Sequence, residues 1–396
     1  MLNPLKRPAF RTLWAGMGLS YAGDRLQELA QGWLVATLTG SAMAVGVIGV
    51  LGSIPMLLMP LGGVIADRSD RRRILMAGQW AGAILTGLMA ILAFSDRIAV
   101  WHIYAWAFIS GVVWMVIRPA YKVIITQAVP PEEVRPAVSL NSITETTALV
   151  AMNTGGSGLI QWLGLPVAFV LNSASYLAAI LLLGRLRGLG RPAEKPSGSA
   201  SAAPLLADLR DGFVYLRSQK PLLYPLLLSL VCITLLSPAT SLLAAIVHGQ
   251  GAGIVSLGLL GGAASLGALA GALFAGMKSE ADPLRTYPSF GLLGAAALTV
   301  FALAPVSLTG GLALFALGFL AFSQAVWNTS RVPRLAGPAY QARIQSITSM
   351  AFTLGSPLGA LWAGAAVDRF GLPALIAGAG VLALLSVGVL LGSRRG

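Results

Sequence analysis

Apolar stretches long enough to cross a bilayer as helices, about 18 residues or more each, recur from one end of this sequence to the other. Inside hydrocarbon every backbone N–H and C=O must be bonded within the protein, so such stretches have to be helical. Composition excludes a water-soluble core: 56% of the 396 residues are hydrophobic and 10% are charged, against about 25% charged in soluble domains. The 47 glycines would weaken soluble helices but suit membrane ones, where small residues let backbones approach closely. The pattern predicts helices over 12–37, 42–66, 74–94, 99–121, 137–161 and 165–184, then 221–247, 251–277, 285–305, 308–331, 341–366 and 371–392. The expected fold is an all-α integral membrane protein with 12 transmembrane helices in two pseudo-symmetric six-helix bundles.

Charge placement tells the two sides apart. A net charge of +13 would suit nucleic acid, but the cations sit in short loops between apolar runs, so no nucleic-acid partner is expected. Loops rich in Lys and Arg stay in the cytoplasm. Of the 27 Lys and Arg, only Arg97 and Arg369 fall in loops assigned to the outer side, while Arg25, Arg118 and Arg331 lie within apolar runs. Both termini are thus expected in the cytoplasm, with the chain in a bacterial inner membrane. The first apolar run holds Asp24, Arg25 and Glu28, which a cleavable signal peptide would not carry, so it is read as a retained helix.

A linker splits the chain nearly in half. Residues 191–204 have a flexible Pro, Ser and Ala composition, and 205–218 reads as a short amphipathic helix along the membrane. The expected organisation is a first bundle over 1–190, a linker with that helix over 191–220, and a second bundle over 221–396. The halves echo each other: Trp114-x-x-x-Arg118 matches Trp327-x-x-x-Arg331, and Asn141-Ser142-Ile143-Thr144 matches Gln345-Ser346-Ile347-Thr348. Internal repeats are the usual construction of secondary transporters.

A charge at the bilayer centre costs roughly 2.5–3.5 kcal/mol on insertion scales, so each one needs a reason. Asp24 lies near the midplane by helix rise, and Glu28 follows four residues later on the same helix face. Two carboxylates on one cavity face suit proton coupling or substrate binding. Arg25 points elsewhere and is read as structural. Glu145 and Arg118 fall at similar depths and are expected to pair, whereas Arg331 has Ser349 where an acid would stand. Trp114, Asn141, Gln324, Trp327 and Asn328 are candidates to line a cavity for amphipathic organic compounds. His102 and His248 are solitary, and the single cysteine, Cys232, sits in an apolar run, so no metal site or intrachain disulfide is expected.

Between the second and third predicted helices stands Gly63-Val64-Ile65-Ala66-Asp67-Arg68-Ser69-Asp70-Arg71-Arg72-Arg73. This resembles the signature loop of the major facilitator superfamily, approximately G-x-L-A-D-R-x-G-R-R, and the resemblance extends over the whole chain. Leu38-Thr39-Gly40-Ser41 and the Asp70-Arg71-Arg72-Arg73 ending are similar to bacterial enterobactin and macrolide exporters. The resemblance implies a cytoplasmic gate of Gly63, Asp67, Arg68, Arg71, Arg118, Arg135 and Arg331, in which Gly63 permits close packing and Asp67 pairs with Arg118 or Arg135. Arg72 and Arg73 are read as charges that set topology. The loop departs from the pattern at Asp70, and its second copy, Gly271 to Lys278, lacks the Asp-Arg pair. The family's glycine-proline motif is partial in Asn153 to Gly158, which has no proline, and closer in Gly355-Ser356-Pro357-Leu358-Gly359.

The implied activity is secondary active transport by alternating access, as proton-coupled efflux of small organic compounds, drug-like or siderophore-like. Import of a small metabolite is the alternative, and from another class a non-transporting sensor or scaffold. The sequence holds no G-x-x-x-x-G-K-[ST] phosphate loop, and no G-x-S-x-G elbow or H-E-x-x-H pair, so neither direct ATP drive nor an enzyme is expected. The proton gradient stands in place of a cofactor. The expected partners are the substrate, protons and the lipid bilayer, around a monomer.

Overall fold

The computed structural model describes residues 2–186, 189–190, 202–277, 283–330, 336–337 and 340–392, all helical or connecting, with no strand among the described residues. The first half holds α1 (Pro8–Thr39), α2 (Ala42–Ser53), α3 (Met59–Arg68), α4 (Arg71–Phe94), α5 (Val100–Gln127), α6 (Val134–Ala151), α7 (Ser157–Leu163) and α8 (Leu165–Gly184). The second half holds α9 (Ala202–Ser218), α10 (Lys220–Leu236), α11 (Pro238–Ser241), α12 (Leu243–Gly249), α13 (Ile254–Met277), α14 (Pro283–Leu303), α15 (Leu308–Ser330), α16 (Gln341–Phe370) and α17 (Pro373–Gly392). Among the described residues, nine spans are long and apolar enough to cross a membrane. The expected first and fifth helices fall outside that test because polar residues interrupt them, and the twelfth because its apolar stretch, Pro373–Val389, is shorter.

The chain forms two compact units. One comprises Met1–Leu38 and Leu51–Ala200; the other comprises Thr39–Val50 and Ser201–Gly396. In unit 1 the core gathers Phe10, Leu13, Met17, Leu75, Tyr121, Ile124 and Leu183. Pro119, inside α5, has no N–H to give the carbonyl four residues back, that of Met115. Gly62 of α3 comes against that carbonyl so closely that a Cβ there would stand 2.2 Å from the Met115 oxygen. α6 and α7 are joined by a π-helical turn at Met152–Gly156, within the partial glycine motif. There the Thr154 hydroxyl bonds back to the Val150 carbonyl at 2.8 Å.

In unit 2, α13 and α15 approach backbone to backbone. A Cβ on Gly271 would lie 2.1 Å from the Phe319 oxygen, and the Ser323 hydroxyl bonds the Gly271 carbonyl at 2.9 Å. This unit also contains the start of α2. The first amides of a helix have no intrahelical partner. Here the Asp368 carboxylate of α16 accepts from the Ala42 amide at 2.6 Å, the Met43 amide at 3.1 Å and the Ser41 hydroxyl at 2.5 Å. A carboxylate so placed also meets the positive end of the helix dipole.

Candidate functional site

Three residues of α1 at positions i, i+4 and i+7, Tyr21, Arg25 and Glu28, share one helix face. Tyr21 stacks on Trp114 of α5 with ring centroids 5.8 Å apart, and meets the edge of Tyr121 at 6.3 Å. The Tyr121 hydroxyl donates to Asn141 Oδ1 at 2.7 Å, and Asn141 Nδ2 donates to Glu145 Oε1 at 2.9 Å. Arg118 lies over the Trp114 ring, 5.7 Å from its centroid. Trp14 donates to the Thr144 hydroxyl at 2.7 Å, tying α1 to α6. The expected Arg118–Glu145 ion pair is therefore absent: the guanidinium takes an aromatic face and the carboxylate takes an amide. The result is an aromatic slab flanked by a cation and by carboxylates, chemistry that fits amphipathic organic molecules.

Asp24 and Glu28 do not share a cavity face, which corrects the sequence expectation. Glu28 pairs with Arg25 at 2.5 Å, and its side chain is 50% exposed. Asp24 is 4% exposed and turned into the interior of unit 1. There Tyr176 of α8 donates to its Oδ1, and Asn172 donates to the same oxygen at 3.2 Å. The same Asn172 Nδ2 bonds Gln27 Oε1 at 2.6 Å. Four residues on a helix advance by 400°, so a pair straddling the border of two environments can divide between them. Arg25, read as structural, is the partner Glu28 uses.

The signature loop forms a local knot of charge. Asp67 at the end of α3 accepts from Arg71 at the start of α4 at 3.0 Å, with Arg71 buried and Asp67 59% exposed. Neither Arg118 nor Arg135 pairs with Asp67, and Arg331 lies outside the described residues. Arg68 is exposed at the end of α3. Gly62, not Gly63, makes the close approach, since a Cβ on Gly63 would meet open space. Arg72 does more than set topology: it donates to the carbonyls of Leu183 and Gly184 at 3.1 and 2.9 Å, closing the end of α8. Asp70 explains its own departure from the family pattern. It is the N-cap of α4, accepting from the Arg73 amide at 3.1 Å.

In unit 2 the three proposed cavity residues of α15 are interior. Gln324, Trp327 and Asn328 are 5%, 2% and 0% exposed. Asn328 donates to the Ser229 hydroxyl of α10 at 2.9 Å, and Trp327 to the Ala275 carbonyl at 3.3 Å, with Phe290 5.3 Å from its ring. They pack α15 against α10, α13 and α14 instead of lining an open face. Cys232 is 1% exposed. His102 accepts from the Ala99 amide at 3.0 Å at the start of α5 and stacks beside Trp101. Sequence reasoning missed Tyr21, Asn172 and Tyr176. Tyr21 was recoverable from its spacing with Arg25 and Glu28; the other two meet Asp24 across 148 and 152 residues of chain, and no local pattern announces that.

The family profile described as transmembrane secretion effector, within the major facilitator superfamily, matches residues 1–394. Macrolide efflux protein A of Streptococcus pyogenes is 27% identical over 168 residues, covering 37% of this chain and 42% of the relative. The MFS-type transporter YfiS of Bacillus subtilis is 25% identical over 242 residues, covering 59% and 56%. The matched regions thus span only about half the length of these curated relatives. Among solved structures, the nucleoside transporter NupG superposes with TM-score 0.72 at 15% identity, over 97% of this chain and 98% of that one. A bacterial homologue of the lysosomal transporter Spinster gives 0.67 at 16%, over 99% and 97%. The profile covers nearly the whole chain, and the fold agrees with it: the chain belongs to the transmembrane secretion effector family of major facilitator superfamily transporters.

Proposed function

We propose that this transporter is a proton-coupled exporter of small organic compounds that works by alternating access in a bacterial inner membrane, with both termini cytoplasmic. The observation that carries the reading is Asp24, a carboxylate 4% exposed and bonded by Tyr176 and Asn172 within unit 1. A buried acid in a membrane helix is costly and is retained where it moves ions or protons. The slab of Tyr21, Trp114, Arg118, Asn141 and Glu145, beside the Arg25–Glu28 pair, is the proposed substrate surface. Likeness to a macrolide efflux protein favours export. A proton crossing the membrane releases roughly 2.3 kcal/mol per 100 mV, enough to drive uphill export without ATP. Asp67 and Arg71 belong to the cytoplasmic gate in this reading, and the protein acts as a monomer.

The test uses purified protein in liposomes loaded with a pH-sensitive dye. Macrolides, cationic dyes and catecholate siderophores are added in turn. Proton flux driven by one class in the wild type, and lost in Asp24→Asn, is the expected result. Flux unchanged in Asp24→Asn moves the coupling site to Glu28 or Glu145, and the absence of flux with every compound removes the export reading.

A further inference from the structure

The residues of α1 that turn inward form a stripe: Ser20, Asp24, Gln27 and Gln31 recur at i, i+4, i+7 and i+11 and are 0%, 4%, 0% and 1% exposed. The stripe extends about 16 Å along the helix axis. On α4, Gln79 and Thr86 stand seven residues apart on one helix face, 1% and 0% exposed; Gln79 Nε2 lies 3.7 Å from the Met17 sulfur of α1. α8 closes the third side with Asn172 and Tyr176, and is joined to α4 by Ser173 bonding the Ala83 carbonyl at 3.0 Å.

Six of these side chains keep a buried polar atom without a partner: Ser20 Oγ, Asp24 Oδ2, Gln27 Nε2, Gln31 Nε2, Gln79 Oε1 and Thr86 Oγ1. Buried polar atoms in folded proteins are almost always satisfied, by protein or by ordered water. Six such orphans, two amide donors, an amide oxygen, two hydroxyls and a carboxylate oxygen, match what a file of internal water requires, because each such water makes about three hydrogen bonds to otherwise unsatisfied groups. The seam is also offset from the face of Tyr21, Arg25 and Glu28 by about 100° around α1.

We propose that this seam binds a chain of water that delivers protons to Asp24 by a route distinct from the substrate surface, entering past Gln31 and Thr86. The proposal rests on the proton-coupled reading given above. In the step itself, a hydronium in the chain gives its proton to Asp24 Oδ2 and becomes water; the carboxylate becomes neutral, and Oδ1 keeps its bonds from Tyr176 and Asn172. The titratable and charged groups near that oxygen are Arg25 and Glu28 on α1 and Tyr176 on α8; α4 presents the neutral Gln79 and Thr86.

Radiolytic hydroxyl labelling of the reconstituted protein, read by mass spectrometry, reports methionines next to bound water. Met17 on the seam is compared with Met115, buried in α5. Met17 should label several-fold faster than Met115, with the excess lost in Gln79→Leu; equal labelling in the wild type overturns the proposal. The second measurement is the rate at which the Asp24 carboxyl infrared band, identified by its loss in Asp24→Asn, appears after an external acid jump. Gln31→Leu and Thr86→Val should each slow it about tenfold, the factor for losing one hydrogen bond in the chain. An unchanged rate in both variants overturns the route even if water is present. Fast labelling with no compound-driven proton flux in the wild type sinks the proton-coupled reading instead, whereas flux with a dry Met17 sinks the seam alone.

Discussion

The interior of unit 1 holds a carboxylate where the interior of unit 2 holds a thiol. In the helix that opens the first half, Asp24 is bonded by Tyr176 and Asn172. In α10 of the second half, Cys232 is buried to 1% exposure, and Gly291 of α14 sits between it and Ser386 of α17. The surfaces differ as the interiors do. Trp114 carries Arg118 on its face at 5.7 Å, while its repeat partner Trp327 is sealed among Phe290, Phe274 and the Ala275 carbonyl. In sequence the repeat keeps the Trp–Arg spacing but drops the acid, with Ser349 where the first half has Glu145. Packing is selected for shape, which either half needs; ionisable groups inside a membrane are costly and persist only where they act.

The largest test of that contrast is chemical. Asp24→Asn keeps the shape of the side chain and should reduce compound-driven proton flux to the liposome leak, whereas Cys232→Ser should leave it near wild type. Loss in both would make the units chemically equivalent. Next comes packing, where the two units should behave alike. Gly62→Val and Gly271→Val force a branched side chain against a carbonyl and should each cost about 1–3 kcal/mol, seen as a lower melting temperature in detergent. Gly63→Val points into open space and should change little.

A smaller effect is expected at the start of α2. Asp368→Ala removes the acceptor for two helix amides and should cost about 1 kcal/mol, the usual worth of an N-cap. Faster hydrogen exchange at Ala42 and Met43 in that variant, with Asp67→Ala leaving them unchanged, would place the effect in unit 2. The smallest concerns Arg7 and Glu133, 2.9 Å apart. The guanidinium holds the Glu133 carboxyl below its usual value of 4.5. A carboxyl depressed in the folded protein stabilises fully above its unfolded value, and that contribution fades as pH falls through the folded value. Wild type and Glu133→Gln should therefore differ slightly in melting temperature at neutral pH and converge in acid.

Helices were legible in the sequence because they depend on hydropathy. What surrounds the charges within them was not. The partner expected for Arg118 was Glu145, and the Trp114 ring one turn back on the same helix takes that place. The i, i+4 spacing of Asp24 and Glu28 suggested one face, but Asn172 and Tyr176 draw the first inward while Arg25 holds the second outside. At Gly62-Gly63 one residue is about 100° of rotation, so the motif pointed to the neighbour of the glycine that packs. Correspondence in sequence does not carry exposure, and Gln324, Trp327 and Asn328 are interior.

The π turn at Met152–Gly156 has a consequence for evolution along this chain. Such a turn is an α-helix with one residue too many, so the residues beyond it are phased against those before it. Asn141 and Glu145 lie on one side of that phase shift and Ser157 and Ile160 on the other. Removing a single residue from the glycine-rich stretch would restore an ordinary helix and swing the Ser157–Leu163 segment by about 100°. Insertions and deletions in membrane helices are usually ruinous, but here one indel would exchange which side chains face the neighbouring helix while keeping the backbone bonded. This stretch is therefore a place where one mutational step can change how α7 packs against its neighbours.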